Sequence, residues 1–239
     1  MDNLEQFTRT QLLIGREGLG CLQQSKVMIF GVGGVGSFTV EALARAGVGT
    51  LVLVDFDTVD VTNINRQLPA LHSTIGKYKV AILQERIHDI NSQAKVITYQ
   101  EKVSSENVRA FFSENPAYVV DAIDMISGKL AIIETAWQLK IPIISAMGAG
   151  NRLDPSKIKI GDLSETVGSG CSLARVMRRE LKKKGISQGV SVVYSTEQIT
   201  RCADNSGSRT LGSISFVPSV AGLFLAAKVV NDLLKQIEQ

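Results

Sequence analysis

Lys26–Gly36 reads KVMIFGVGGVG, and the rest of the chain takes its meaning from this run. Lys26–Phe30 is short and apolar, with β-branched Val27 and Ile29, which predicts a strand. Glycines at 31, 33, 34 and 36 allow a tight turn and let backbone N–H groups approach an anionic phosphate. A helix expected over 35–46 adds partial positive charge at its N-terminus. A second strand, Thr50–Val54, ends on Asp55, 19 residues after Gly36. A carboxylate there can accept hydrogen bonds from ribose hydroxyls. Strand, glycine loop, helix, strand and acid, in that order, predict a nucleotide site. By these residues alone, NAD and ATP both fit.

Working outward, strand-like and helical stretches alternate to about residue 145. Lys95–Tyr99, Tyr118–Val120 and Pro142–Ser145 are further strands. Helices are expected near 77–90, 106–113 and 128–140. Such alternation predicts a Rossmann-like α/β fold, a mostly parallel sheet with helices on both faces. Beyond it, Lys157–Ile160 and Val190–Tyr194 read as strands, Leu173–Lys184 as a basic helix and Ser213–Phe216 as a short β-like piece. Thr200–Arg209 reads as a mobile loop. Val220, Leu223, Ala227, Val230, Leu234 and Ile237 recur at helical steps and form one face of a terminal helix. With no repeat and no clear linker, a single domain over 1–239 is expected, with a core at 7–149 and a more specialised part at 150–239.

Composition supports a folded, water-soluble chain. Of 239 residues, 44% are hydrophobic and 21% charged, so disorder is not expected. A formal charge of +3 neither requires nor excludes a nucleic-acid partner, because local patches matter more than the sum. No pair among Cys21, Cys171 and Cys202 has CxxC spacing, so neither a zinc site nor a disulfide framework is expected. The N-terminus lacks the layout of a signal peptide, and the apolar stretch Val220–Ala227 stops at Lys228, too short for a bilayer. A cytoplasmic location follows.

What turns the nucleotide from NAD towards ATP is the polar run Asp55–Gln67, DFDTVDVTNINRQ, followed by Ile75–Lys79, IGKYK. A hydride-transfer site has no evident use for so many polar and basic groups. Arg66 and Lys79 could neutralise charge growing on phosphate oxygens during attack on phosphorus. Asn63 and Gln67 could bond phosphates or orient the arginine. Asp124, in VVDAID, is placed to hold Mg²⁺ at the carboxyl edge of the sheet. Asp57 has two readings, a helix or turn cap or a site group, and Asp121 likewise either caps its strand or serves the site. Lys77 reads as solvated.

GVGGVG, D-x-D-x-V-x-x-x-N-x-x-R-Q, GKYK and DAID, in this order and spacing, resemble the adenylation domain of the ThiF/MoeB-type, ubiquitin-activating superfamily. The likeness extends from Phe7 to Ala149 and includes the opening FTRTQLLIG. It implies ribose binding by Asp55, phosphate contacts by Arg66 and Lys79, and Mg²⁺ on Asp124. It also implies a homodimer in which Arg9 reaches the partner's nucleotide. A monovalent cation and a sulfur-relay protein partner belong to the same expectation, although no ligand spacing specifies the cation.

Four segments of the second part resemble the branch of this superfamily that dehydrates threonylcarbamoyladenosine in tRNA. They are Ser145–Thr166, Leu173–Ile186, Val192–Gln198 and Gly212–Gly222. This implies ATP-dependent adenylation of the threonylcarbamoyl carboxylate, then ring closure by the carbamoyl group with release of AMP. No enzyme nucleophile is needed, which suits cysteines that read as incidental. Arg175, Arg178, Arg179 and Lys182 fall on one helical face and are candidates for tRNA phosphates. Three rivals remain. An enzyme activating the C-terminus of a ubiquitin-like sulfur-carrier protein would share the ATP site. An NAD oxidoreductase would leave Arg66 and Lys79 unexplained, and a tRNA-binding module would turn over no ATP.

Overall fold

The computed structural model describes residues 5–199, 211–235 and 237. Helix α1 (Thr8–Gln24) leads into β1 (Lys26–Phe30), α2 (Gly36–Ala46) and β2 (Thr50–Val54). Then follow α3 (Lys79–Ile90), β3 (Lys95–Tyr99), the short α4 (Val108–Phe111), β4 (Tyr118–Asp121), α5 (Ile126–Leu139) and β5 (Ile143–Ala146). The remainder holds β6 (Ile158–Asp162), α6 (Ser172–Lys183), β7 (Ser191–Ser195) and α7 (Phe216–Lys235).

The seven strands form one sheet in the order β3-β2-β1-β4-β5-β7-β6. Every pairing is parallel except β6 with β7. Alternating side chains serve two cores, as the two-residue period of a strand requires. Val27, Ile29, Leu51 and Leu53 face a layer containing Val40 and Leu43 of α2, Leu83 of α3, and Leu225 and Val229 of α7. Met28, Phe30, Val52 and Val54 face Phe111, Ile132 and Ile133, and Met177 and Leu181 of α6. Burial on both faces explains why these strands read as unbroken apolar runs. The expected mostly parallel α/β fold is the observed one.

One helix went unread in the sequence, and two expectations differ from the structure. Helix α1 was hidden in the sequence by Gly15, Gly18 and Gly20, poor helix formers, and Gly15 indeed leaves helical geometry at φ 75°. Ser213–Phe216 forms no strand; Phe216 begins α7, with Pro218 in its first turn, where a missing N–H costs nothing. The apolar stretch at the C-terminus does not stop at Lys228. Helix α7 runs 20 residues at mean hydropathy 1.5, long and apolar enough for a bilayer by length and composition. Lys228 is carried within it by an ion pair to Asp232, one turn on, at 2.6 Å. Leu225, Ala226, Val229 and Leu233 are nonetheless buried against the sheet layer. The segment Thr200–Arg209, with Cys202, lies outside the described residues.

Candidate active site

The strand order reverses direction between β1 and β4, and a doubly wound sheet opens a crevice at the carboxyl ends of such a pair. A pocket of about 660 Å³ occupies that edge. Its wall includes Gly31, Gly33 and Gly34 after β1, Asp55 and Asp57 after β2, and Ala122–Ile126 after β4. Arg66, Gln67 and Lys79 complete one side.

The glycines divide by task. Gly31 sits at φ +82°, and its N–H donates to the Val54 carbonyl at 2.8 Å. A Cβ on Gly36 would lie 1.8 Å from the Gly31 carbonyl oxygen, so Gly36 lets α2 close on the loop and does not itself line the pocket. A Cβ on Gly33 or Gly34 would meet nothing nearer than 3.4 Å. These two leave open space beside the N-terminus of α2, where a phosphate would find backbone N–H donors.

Asp55 is almost buried, and its carboxylate already holds the loop: Val32 N–H donates to it at 2.7 Å and Asp57 N–H at 2.9 Å. Burial raises its pKa, and the two backbone donors pull against that rise. Each oxygen keeps a further lone pair for a ligand hydroxyl. Asp57 caps no helix; it pairs with the buried Lys79 Nζ at 2.8 Å and lines the pocket. Lys77 is exposed, as expected.

Of the two readings of Asn63, its position fits orienting the arginine and not touching phosphate. It is buried and outside the pocket wall, with its side-chain oxygen accepting the Asp60 N–H at 3.1 Å. Its carbonyl accepts the N–H groups of Arg66 and Gln67, at 3.1 and 2.9 Å. Asn63 therefore builds the turn that presents those two residues, because a short amide pairs readily with nearby backbone. Arg66 Nη1 donates to the Thr62 carbonyl and the Asn65 side chain, both at 2.9 Å. The Gln67 side-chain oxygen is buried and has no hydrogen-bond partner.

Asp124 is exposed at the pocket wall. No cluster of three metal-ligating side chains exists among the described residues. A single carboxylate beside a phosphate-sized space suits Mg²⁺, which keeps waters and takes most other ligands from substrate phosphates. The neighbouring Asp121 does cap its strand end, its carboxylate accepting the Ile123 N–H at 3.3 Å. It is fully buried with Lys129 at 2.9 Å, and Ser145 Oγ donates to it at 2.6 Å. Lys129 also donates to the Ile123 carbonyl at 2.9 Å. Burial raises the Asp121 pKa against the pull of Lys129 and Ser145. Deleting either partner of such a pair costs about 3–5 kcal/mol, so this pair fixes the turn that carries Ile123 and Asp124.

Sequence reasoning missed several pocket residues. Lys102 lies over the Phe56 ring at 5.6 Å, and both line the cavity with Val103, Met125 and Ile126. Their one signal was position, just past strands at the carboxyl edge. Arg152 also lines the wall, and the sequence marked it only as part of the run Ser145–Thr166. Cys171, expected to be incidental, is buried at the N-cap of α6, where its sulfur accepts the Ala174 N–H at 3.4 Å, and it too reaches the pocket.

Arg9 is exposed on α1 and does not line its own chain's pocket. On α6, Arg175, Arg179 and Lys182 are exposed, but Arg178 is half-buried and bonds Thr166 Oγ1. Arg178 follows the buried Ala174 and precedes Leu181 by helical steps, so it turns inward and leaves the expected basic face.

Comparison with known proteins adds to this geometry. The ThiF family pattern matches residues 7–239. The tRNA threonylcarbamoyladenosine dehydratase of Bacillus subtilis (strain 168) is 44% identical over 248 positions, covering 98% of this chain and 97% of that protein. The crystal structure of the E. coli tRNA N6-threonylcarbamoyladenosine dehydratase with AMP superposes at a TM-score of 0.93 and 33% identity, covering 99% of this chain and 97% of the other. Its complex with ATP gives 0.91 at 33% identity, with 98% and 96% covered.

Proposed function

The chain belongs to the ThiF family, and on that premise we propose that it uses ATP to dehydrate N6-threonylcarbamoyladenosine in tRNA, closing the threonylcarbamoyl side chain into a ring. The observation that carries this reading is full-length similarity to dehydratases, including the part beyond Ala149 that lies outside the ATP motifs.

ATP sets its phosphates beside Gly33 and Gly34 and its ribose on Asp55. The substrate carboxylate attacks the α-phosphorus, pyrophosphate leaves, and the oxygen lost from the substrate departs with AMP when the carbamoyl group closes the ring. Arg66 and Lys79 bring positive charge to oxygens that become more negative during attack, an interaction stronger in the transition state than before it. Asp57 holds Lys79 in place at 2.8 Å. Asp124 would hold Mg²⁺, which supplies charge neutralisation across the phosphates.

Arg9 is exposed beside Leu12 and Leu13, 83% and 86% exposed, which suits an arm that covers a second copy and reaches its nucleotide. A homodimer, a monovalent cation, a sulfur-relay partner and a cytoplasmic location rest on family membership. Residues 7–149 serve as the adenylating core and 150–239 as the substrate-specific part.

Arg175, Arg179 and Lys182 contact tRNA phosphates. Replacing all three by glutamine is expected to weaken tRNA binding and to reduce the slope of log affinity against log salt by about 2–3, with ATP affinity unchanged. A slope equal to the parent's contradicts the assignment.

The proposed function is tested by following AMP release with threonylcarbamoyladenosine-modified tRNA, unmodified tRNA, and a sulfur-carrier protein ending in Gly-Gly. AMP release with the modified tRNA alone is expected. Release with the Gly-Gly protein alone would identify a sulfur-carrier-activating enzyme instead.

A further inference from the structure

Arg152 lies past the end of β5 and is only 2% exposed. Its Nη1 donates to two carbonyls at and just past the end of β7, Ser195 at 2.9 Å and Glu197 at 2.7 Å. Its Nε and Nη2 are buried and have no hydrogen-bond partner. No carboxylate among the described residues lies within ion-pair distance of it. The Glu197 carboxylate, on the same segment, is occupied by the N–H groups of Leu153 and Asp154, each at 2.9 Å.

A guanidinium keeps its charge at any working pH. A buried cation with one edge of its fork unmet is unfavourable unless an anion completes it. The free Nε–Nη2 edge is the geometry that takes both oxygens of a carboxylate. Arg152 lines the same pocket as Gly33 and Asp124, together with Gly148, Gly150 and Leu211. The phosphates of ATP already have the glycine loop, Arg66 and Lys79. Arg152 instead comes from the segment beyond those motifs, so the anion it meets is the one ATP does not bring.

We propose that Arg152 is a substrate-binding residue whose free Nε–Nη2 edge holds the carboxylate of the threonylcarbamoyl side chain for attack on ATP. This rests on the dehydratase reading. Each carboxylate oxygen keeps a second lone pair after the fork is engaged, so one remains free to attack phosphorus. The charge on Arg152 also offsets repulsion between the carboxylate and the triphosphate.

The test measures binding of two anticodon stem-loop RNAs, one carrying N6-threonylcarbamoyladenosine and one its neutral carboxamide analogue, together with ATP affinity and AMP release. The parent protein is expected to prefer the carboxylate at least about tenfold, a typical loss for a buried charge-assisted contact. In R152Q the preference falls to about one with ATP affinity unchanged, and R152K, lacking the fork, falls between. R152Q that keeps the parental preference overturns the inference, as does folded R152Q with weakened ATP binding, since Arg152 would then serve a phosphate. If R152Q fails to fold, R152K decides, and a parental preference there overturns the inference. A parent protein that releases no AMP with the modified RNA removes the dehydratase reading and this inference with it, whereas turnover with unchanged discrimination in the variants removes the inference alone.

Discussion

Arg66→Ala is expected to slow adenylate formation by about 10²- to 10³-fold, the scale seen when one donor to a developing oxyanion is removed. Its melting temperature should move by no more than about 2 °C. The asymmetry follows from what Arg66 touches. Among the described residues its side chain makes two hydrogen bonds, to the Thr62 carbonyl and the Asn65 side chain. Both acceptors can turn to water when it is lost. The turn itself is held by Asn63, whose carbonyl accepts two N–H groups and whose side chain accepts a third. Single-turnover AMP formation alongside thermal denaturation separates the effects. An Arg66→Ala protein of parental rate would remove the arginine from the chemistry.

Gly36→Ala and Gly33→Ala should fail in opposite ways. The methyl at position 36 would press within 1.8 Å of the Gly31 carbonyl oxygen, a clash only movement of α2 away from β1 relieves. Overpacking of this kind costs about 1–3 kcal/mol, lowering the melting temperature by about 2–12 °C in a chain of this size. ATP binding is lost with it because the loop distorts. At position 33 the nearest atom to an added methyl is Gln67 Nε2 at 3.6 Å, so the fold should be unaffected. There the methyl occupies phosphate space, and ATP affinity should fall at least tenfold at constant melting temperature. Calorimetric titration and thermal denaturation of both variants check the division. Equal stability losses would mean that both glycines serve packing alone.

That division shows what could be read from the sequence and what could not. The order of strand, glycine loop, helix and acid announced the sheet and the nucleotide edge, because both follow from local backbone rules. Strand limits came within a residue or two, since runs such as TLVLV are buried on both faces and end where apolar character ends. Residues whose role depends on a distant partner were less legible. Asn63 and Gln67 stand four apart in one polar run, yet the first faces the protein and the second the pocket. Arg178 read as one cation of a basic face and turned out to be tied to Thr166. Arg152 gave no sign of its own within the run Ser145–Thr166, because burial of a cation is a property of three-dimensional packing. Glycine-rich α1 hid its helix for the opposite reason, being held by packing of Leu19 and Leu22 where local propensity is poor.

The most direct measurement is mass spectrometry of nucleosides from threonylcarbamoyladenosine-modified tRNA incubated with the protein and Mg-ATP. The modified nucleoside should lose the mass of one water, and Asp124→Ala should abolish that loss while the protein stays folded. An unchanged nucleoside, from a folded protein that binds ATP and tRNA, would contradict the dehydratase assignment.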